Sequence, residues 1–162
     1  MKLATRPRYA LRAMMVVARQ GKDGAPVNLG EVADRTHISR RYLEQVAISL
    51  KNSGLLKAVP GKNGGHLLSR PPEEITLDEI VEAAMGPISI VDCVTRPEDC
   101  MMLEECECRG LYLLLNTRIK EVFHSYSLKD LAENRVQARV EKELEEVEGK
   151  IEARRKKDRK KR

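Results

Sequence analysis

Residues 5–68 carry three apolar stripes at helical spacing followed by two strand-like runs, and that order leaves few folds open. Thr5 or Arg6 can begin a first helix, with Pro7 near its first turn, where the missing N–H costs little. Tyr9, Ala10, Ala13, Met14, Val16 and Val17 give it a broad apolar face, and Gly21 and Gly24 stop it. Asn28 is a good N-cap for a short helix from Leu29 to Arg35, with Leu29, Val32 and Ala33 inward. Ser39 can cap a third helix that buries Tyr42, Leu43, Val46, Ala47 and Leu50 and ends at Asn52-Ser53-Gly54. Leu55–Val59 and His66–Leu68 then flank a Pro60-Gly61-Lys62-Asn63-Gly64-Gly65 tip, which reads as a β-hairpin. The expected fold is mainly α with a small β-hairpin wing: a winged helix-turn-helix over residues 1–70, with the third helix as recognition helix.

Pro71-Pro72 marks a linker to a second region, residues 71–134. Thr76 caps a helix from Leu77 to Met85, and residues 88–103 read as irregular. A long helix is expected from about Glu104, with Leu111, Leu114, Leu115, Ile119, Val122 and Phe123 as its stripe. A stripe this wide calls for a partner helix from a second subunit, hence a homodimer. Ser127 can cap a continuation from Leu128. Residues 135–162 form a charged tail, helical or disordered. Val140, Leu144, Val147 and Ile151 are spaced 4, 3 and 4, as in a coiled-coil seam, but Gly149 interrupts them, and residues 153–162 read as disordered.

Charge separates the same three regions. Residues 1–70 hold 13 Lys/Arg against 4 Asp/Glu, residues 71–134 hold 5 against 14, and residues 135–162 hold 12 against 7. A basic first region suits a polyanion, since neutralising phosphates releases counterions. No apolar run approaches the ~20 residues that cross a bilayer, and the N-terminus does not read as a signal peptide, so a cytoplasmic location is expected.

All four cysteines lie between positions 93 and 108. Such clustering points to a metal, an iron–sulfur cluster or redox chemistry rather than a disulfide scaffold. Cys93, Cys100, Cys106 and Cys108 are soft donors of the type iron–sulfur clusters use. Four thiols also suit zinc, although paired CxxC knuckles are missing, and a reversible disulfide is a third reading. Arg96 and Arg109 are placed to lower thiol pKa values. No phosphate-binding loop, nucleophile elbow, His-Glu metal helix or CxxC is present, so an enzyme is not expected.

On the third helix, Ser39, Arg40, Arg41, Glu44 and Gln45 form the expected base-reading face, since Arg pairs with guanine, Gln with adenine, and Glu accepts from cytosine. Lys62 and Asn63 at the hairpin tip are expected on backbone phosphate. His37 and His124 read as surface or capping residues rather than ligands.

Arg8–Met14, Ile38–Gln45, Gly64–Leu68, the acidic helix after Thr76, the Cys93/Cys100/Cys106 group and Ser127–Leu131 together resemble the winged helix-turn-helix transcription regulators of the IscR/NsrR/CymR type, over residues 1–133. The resemblance implies a dimeric regulator, of repressor type, that binds a double-stranded DNA operator. It also implies a crossed pair of long helices and, in members with three close cysteines, an iron–sulfur cluster ([2Fe–2S] or [4Fe–4S]) on Cys93, Cys100 and Cys106. Some members take a fourth ligand from a His three positions after the third cysteine, and others from an Asp in the first helix. Those positions are Arg109 and Arg8 here, which leaves Cys108 as a candidate fourth ligand, beside Glu104, Glu105, Glu107 or a group from the other subunit. Pro60 stands where an Arg commonly enters the wing, and His66 replaces a common Tyr.

Overall fold

The computed structural model describes residues 3–21, 24–103 and 105–159. Helix α1 (Thr5–Gln20) is the spine of the core. Ala10, Ala13, Met14 and Val17 are buried on it, against α2 (Leu29–Thr36) and α3 (Arg40–Asn52). Asn28 caps α2 by accepting from the Glu31 N–H at 2.9 Å, and Ser39 caps α3 by accepting from the Tyr42 N–H at 3.4 Å. Between them His37 takes a left-handed conformation (φ 56°) that turns the chain sharply, so only His37, Ile38 and Ser39 join the two helices.

Strands β1 (Leu56–Val59) and β2 (Gly65–Leu68) pair antiparallel in the register Leu56↔Leu68 to Val59↔Gly65. Val27 and His66 exchange two backbone hydrogen bonds, of 3.0 and 2.8 Å, which tie the wing to the head. Gly65 permits that approach, since a Cβ there would collide with the Val27 carbonyl.

The core does not end with the wing. Helix α4 (Leu77–Met85) starts at a capping box between Thr76 and Glu79 and packs on α1 through Leu77, Ile80 and Ala84. Residues 75–77 pair with residues 126–128 by the Leu77 N–H to Tyr126 carbonyl (3.0 Å) and Leu128 N–H to Ile75 carbonyl (2.7 Å) bonds. This adds Tyr126 and Leu128 of the 126–128 segment, together with α7 (Leu128–Ala132), to the same core.

Three expectations are corrected. The segment 88–103 contains a one-turn helix, α5 (Asp92–Thr95), and a 3-10 turn at Pro97–Asp99. The long helix α6 runs Arg109–His124, starting five residues later than expected; Glu104 itself lies outside the described residues. Glu105 and Glu107 are exposed, and the first turn is closed by the Arg109 and Tyr112 N–H groups on the Cys106 and Cys108 carbonyls. The tail forms one continuous helix, α8 (Val136–Arg159), through Gly149, so residues 153–159 are helical where disorder was expected; residues 160–162 lie outside the described residues. Glu, Lys, Arg and Ala are strong helix formers, acidic residues gather early and basic ones late, as the helix dipole favours, and Glu146/Lys150 and Glu152/Lys156 sit at stabilising spacing.

The base of α8 is locked to the head. The Arg139 guanidinium lies 4.5 Å over the Tyr126 ring, pairs with Asp130 at 3.3 Å and donates to the Ser125 carbonyl at 3.1 Å, while the Tyr126 hydroxyl donates to Glu143 at 3.1 Å. Val136 and Val140 pack on the core beside them.

Candidate nucleic-acid interface and cysteine segment

On α3, Leu43, Val46, Ala47 and Leu50 are buried, which turns Ser39, Arg40, Arg41, Glu44 and Gln45 to the exposed side together. Arg40 and Glu44 are paired at 3.3 Å, so Glu44 orients Arg40 on the free surface. The pair is well exposed and costs little to open. Two contributors were not read from the sequence. Ile48 is 55% exposed one turn beyond Glu44 and Gln45, where an apolar side chain suits a thymine methyl; its only signal was an apolar residue on the polar side of the helix. Arg6 reaches across from α1, donating to the Ser49 hydroxyl at 2.6 Å and the Gln45 carbonyl at 3.5 Å. It fixes the recognition helix on its support. The edge-on contact of Tyr9 and Tyr42, with ring centroids 5.4 Å apart, does the same.

Lys62 and Asn63 are exposed at the wing tip, where Gly61 takes φ 111° and a Cβ at Gly64 would strike the Val59 carbonyl. His66, in contrast, faces inward. Burial first and the Lys51 charge second lower its pKa, which favours the neutral ring, while its backbone makes the bonds to Val27. His37 is the exposed C-cap of α2, and His124 is an exposed residue bonded to Asp78 at 3.0 Å.

The cysteine segment is held differently. All four thiols are free of disulfides: Cys93 on α5, Cys100 after the 3-10 turn, and Cys106 and Cys108 immediately before α6. At the first turn of α6 the Tyr112 phenol has its pKa raised, first by charge and hydrogen bonding from Cys108, then by burial, and last by Cys106 and Cys93. The Arg109 Nε is buried there without a partner among the described residues. Arg96 is paired with Asp99 (3.3 Å) and Asp92 (3.7 Å). Among the described residues, no three His, Cys, Asp or Glu side chains are arranged to share an ion. The donor chemistry fits an iron–sulfur cluster, while the thiols would have to close inward to hold one. The segment meets α6 through Asn116, a buried polar residue whose side-chain oxygen accepts from the Ile90 N–H at 3.1 Å.

The stripe of α6 divides. Ile119 and Phe123 are half-buried, Phe123 against the core, whereas Leu111, Leu114, Leu115 and Val122 are 45–55% exposed. An ion pair from Lys120 to Glu82 (3.0 Å) and the His124–Asp78 hydrogen bond (3.0 Å) hold the helix against α4. Among the described residues, no helix is long and apolar enough to cross a membrane.

A family model described as Rrf2, iron-dependent transcriptional regulator, matches residues 3–134. The transcriptional regulator CymR of Bacillus subtilis is 37% identical over 132 residues, 82% of this chain and 90% of that protein. The transcriptional regulator IscR of Photorhabdus laumondii is 35% identical over 134 residues, covering 83% and 80%. The solved structure of CymR, described as the global cysteine regulator of B. subtilis, superposes with a TM-score of 0.70 at 34% identity, over 83% of this chain and 98% of that one. These relatives are named as regulators and not as enzymes, and α8 lies beyond the matched residues.

Proposed function

We propose that this chain, which belongs to the Rrf2 family of transcriptional regulators, is a cytoplasmic homodimeric repressor that reads duplex DNA with α3 and the wing and takes its signal at the cysteine segment. The observation that carries the reading is the joint exposure of Ser39, Arg40, Arg41, Glu44 and Gln45 on a capped helix three residues after α2, with Lys62 and Asn63 on the adjoining wing. Phosphate meets the α3 N-terminus and the wing tip; base edges meet the Arg41, Gln45 and Ile48 side. The exposed leucines of α6 supply the subunit contact. Selection from a random duplex pool tests the DNA reading. Enrichment of a two-fold symmetric site supports it, and no enrichment under any redox condition overturns it.

At the cysteine segment the proposed ligands of an iron–sulfur cluster are Cys93, Cys100 and Cys106, with Cys108 as the fourth. Bound there, the cluster supplies a redox- and supply-sensitive crosslink between α5 and the start of α6. The chain's own part is mechanical. Asn116 and the Glu82–Ile88 hydrogen bond (3.2 Å) couple the segment to α6 and α4, and so to the placement of the heads. A ligand shifts that placement only if it binds the two arrangements with different affinity. Anaerobic absorption with iron and sulfide analysis, with Cys93→Ser, Cys100→Ser and Cys106→Ser as controls, tests this. Absence of iron and sulfide after reconstitution overturns the cluster. A second reading, a thiol–disulfide switch without a cluster, is favoured by the lack of a preformed ligand group among the described residues and by the CymR likeness. It requires a reductant-reversible change in DNA affinity with no visible absorption.

A further inference from the structure

The second basic region of the chain lies outside the matched family residues, at the far end of α8. Residues 153–162 hold eight Lys/Arg and one Asp. Within the described helix, Arg155, Lys156 and Lys157 are exposed, and none of them is in an ion pair among the described residues. Three successive helical residues spread their side chains over about 200° of the circumference. That distribution suits a partner whose charge can be met from many directions, as a phosphate backbone can, better than a single acidic pocket.

The position of this end is set by the lock at the helix base. Arg139 on Tyr126 and Asp130, with Glu143 on the Tyr126 hydroxyl, fixes α8 where it leaves the head. From Arg139 to Lys157 the helix rises about 27 Å, at 1.5 Å per residue. The basic end is therefore carried on a stiff arm, about eight base-pair steps of duplex away from its anchor. Binding of the head to DNA raises the concentration of flanking phosphate around the arm, so a weak contact there becomes effectively intramolecular. Between the two basic regions lies an acidic one, with 14 Asp/Glu against 5 Lys/Arg over residues 71–134, which the same duplex would not attract.

We infer that the basic end of α8 is a second DNA-contacting element, gripping duplex phosphates outside the site read by α3 and the wing. This rests on the DNA-binding reading above and extends the interface beyond the head. Phosphate contacts position a protein without reading sequence, so the arm adds affinity and footprint, not specificity.

The test is salt titration of binding to a long duplex, about 60 base pairs with the selected site at its centre, and to a short duplex covering only that site. The full-length chain is compared with the triple variant Arg155→Gln, Lys156→Gln, Lys157→Gln, which keeps good helix formers; helicity is checked by circular dichroism. On the long duplex the slope of log K against log salt should flatten by about 1–3 per protomer, near 0.9 for each phosphate no longer neutralised, with at least a tenfold drop in affinity at low salt. On the short duplex the two proteins should match. Equal slopes on the long duplex overturn the inference, as does an equal loss on both duplexes, which would place the charges within the head's own site. If neither protein prefers the selected site over random duplex, the head assignment fails instead, and that outcome is separate because the long-duplex slope difference can still be read. Tight binding of the basic end to an acidic protein, with equal DNA slopes, likewise overturns it.

Discussion

The head and the cysteine segment differ in what holds them in place. In the head, Met14, Val32, Leu43, Leu50 and Leu55 are almost wholly buried, both short helices are capped, and the wing is stapled to Val27 by backbone hydrogen bonds. From Ser89 to Cys108 no described residue is buried, and Met101 and Met102 are exposed. The head is a finished instrument whose shape follows from its own core. The segment's shape depends on the few bonds that moor it to α4 and α6, so an event at the thiols can rearrange it without cost to the fold.

The comparison breaks most visibly on stability. Leu50→Ala should cost about 2–5 kcal/mol in chemical denaturation, whereas Met101→Ala and Cys100→Ser should each stay within about 0.5 kcal/mol. A large effect of either segment variant would mean that the segment belongs to the folding core after all. Next is the dimer. Leu114→Lys with Leu115→Lys removes two outward leucines from α6, each worth about 1.5–3 kcal/mol when buried. Sedimentation should show a dimer weakened by at least about 100-fold, with the head's circular dichroism intact; a persistent dimer would move the subunit contact elsewhere.

DNA affinity sharpens the division within the head. Arg41→Ala or Gln45→Ala should each cost about 1–3 kcal/mol at the selected site. Lys62→Ala should weaken binding to all sequences alike and flatten the salt dependence by about one phosphate's share. The smallest effect concerns pH. The backbone and hydroxyl of Ser127, with Arg139 and Arg135, hold the Asp130 carboxyl below its usual range against the opposing push of burial. A depressed folded-state pKa contributes stability that is present above the unfolded value, near 4, and is lost as pH falls through the folded one. Asp130→Asn should remove about 0.3–1 kcal/mol near neutrality, and the wild type and variant should converge in acid; a gap that persists at low pH would assign the loss to packing.

The sites differ in legibility for the same reason. Asn28, Ser39 and Ser127 announce their helices, because a cap and the N–H it satisfies are three residues apart. The exposed face of α3 follows from its buried one. The cysteine segment announces its donors by composition but not their placement, since Cys93, Cys100 and the Cys106/Cys108 pair sit on three separate elements with no shared period. The charge density of the tail suggests disorder, while dipole-matched charges and strong helix formers carry the helix to Arg159.

The sequence by itself determined the order of three helices and a hairpin, the caps that bound them and the charge of each region, because these depend on interactions three or four residues long and on side-chain chemistry. Only the tertiary structure decided that the α6 stripe divides between head and exterior, that Arg6 clamps α3, that His66 turns inward to the wing's anchor, and that Arg139 sets the exit of α8. An apolar stripe states which residues avoid water, but the surface that covers them comes from elements far away in the chain, and no local period records it.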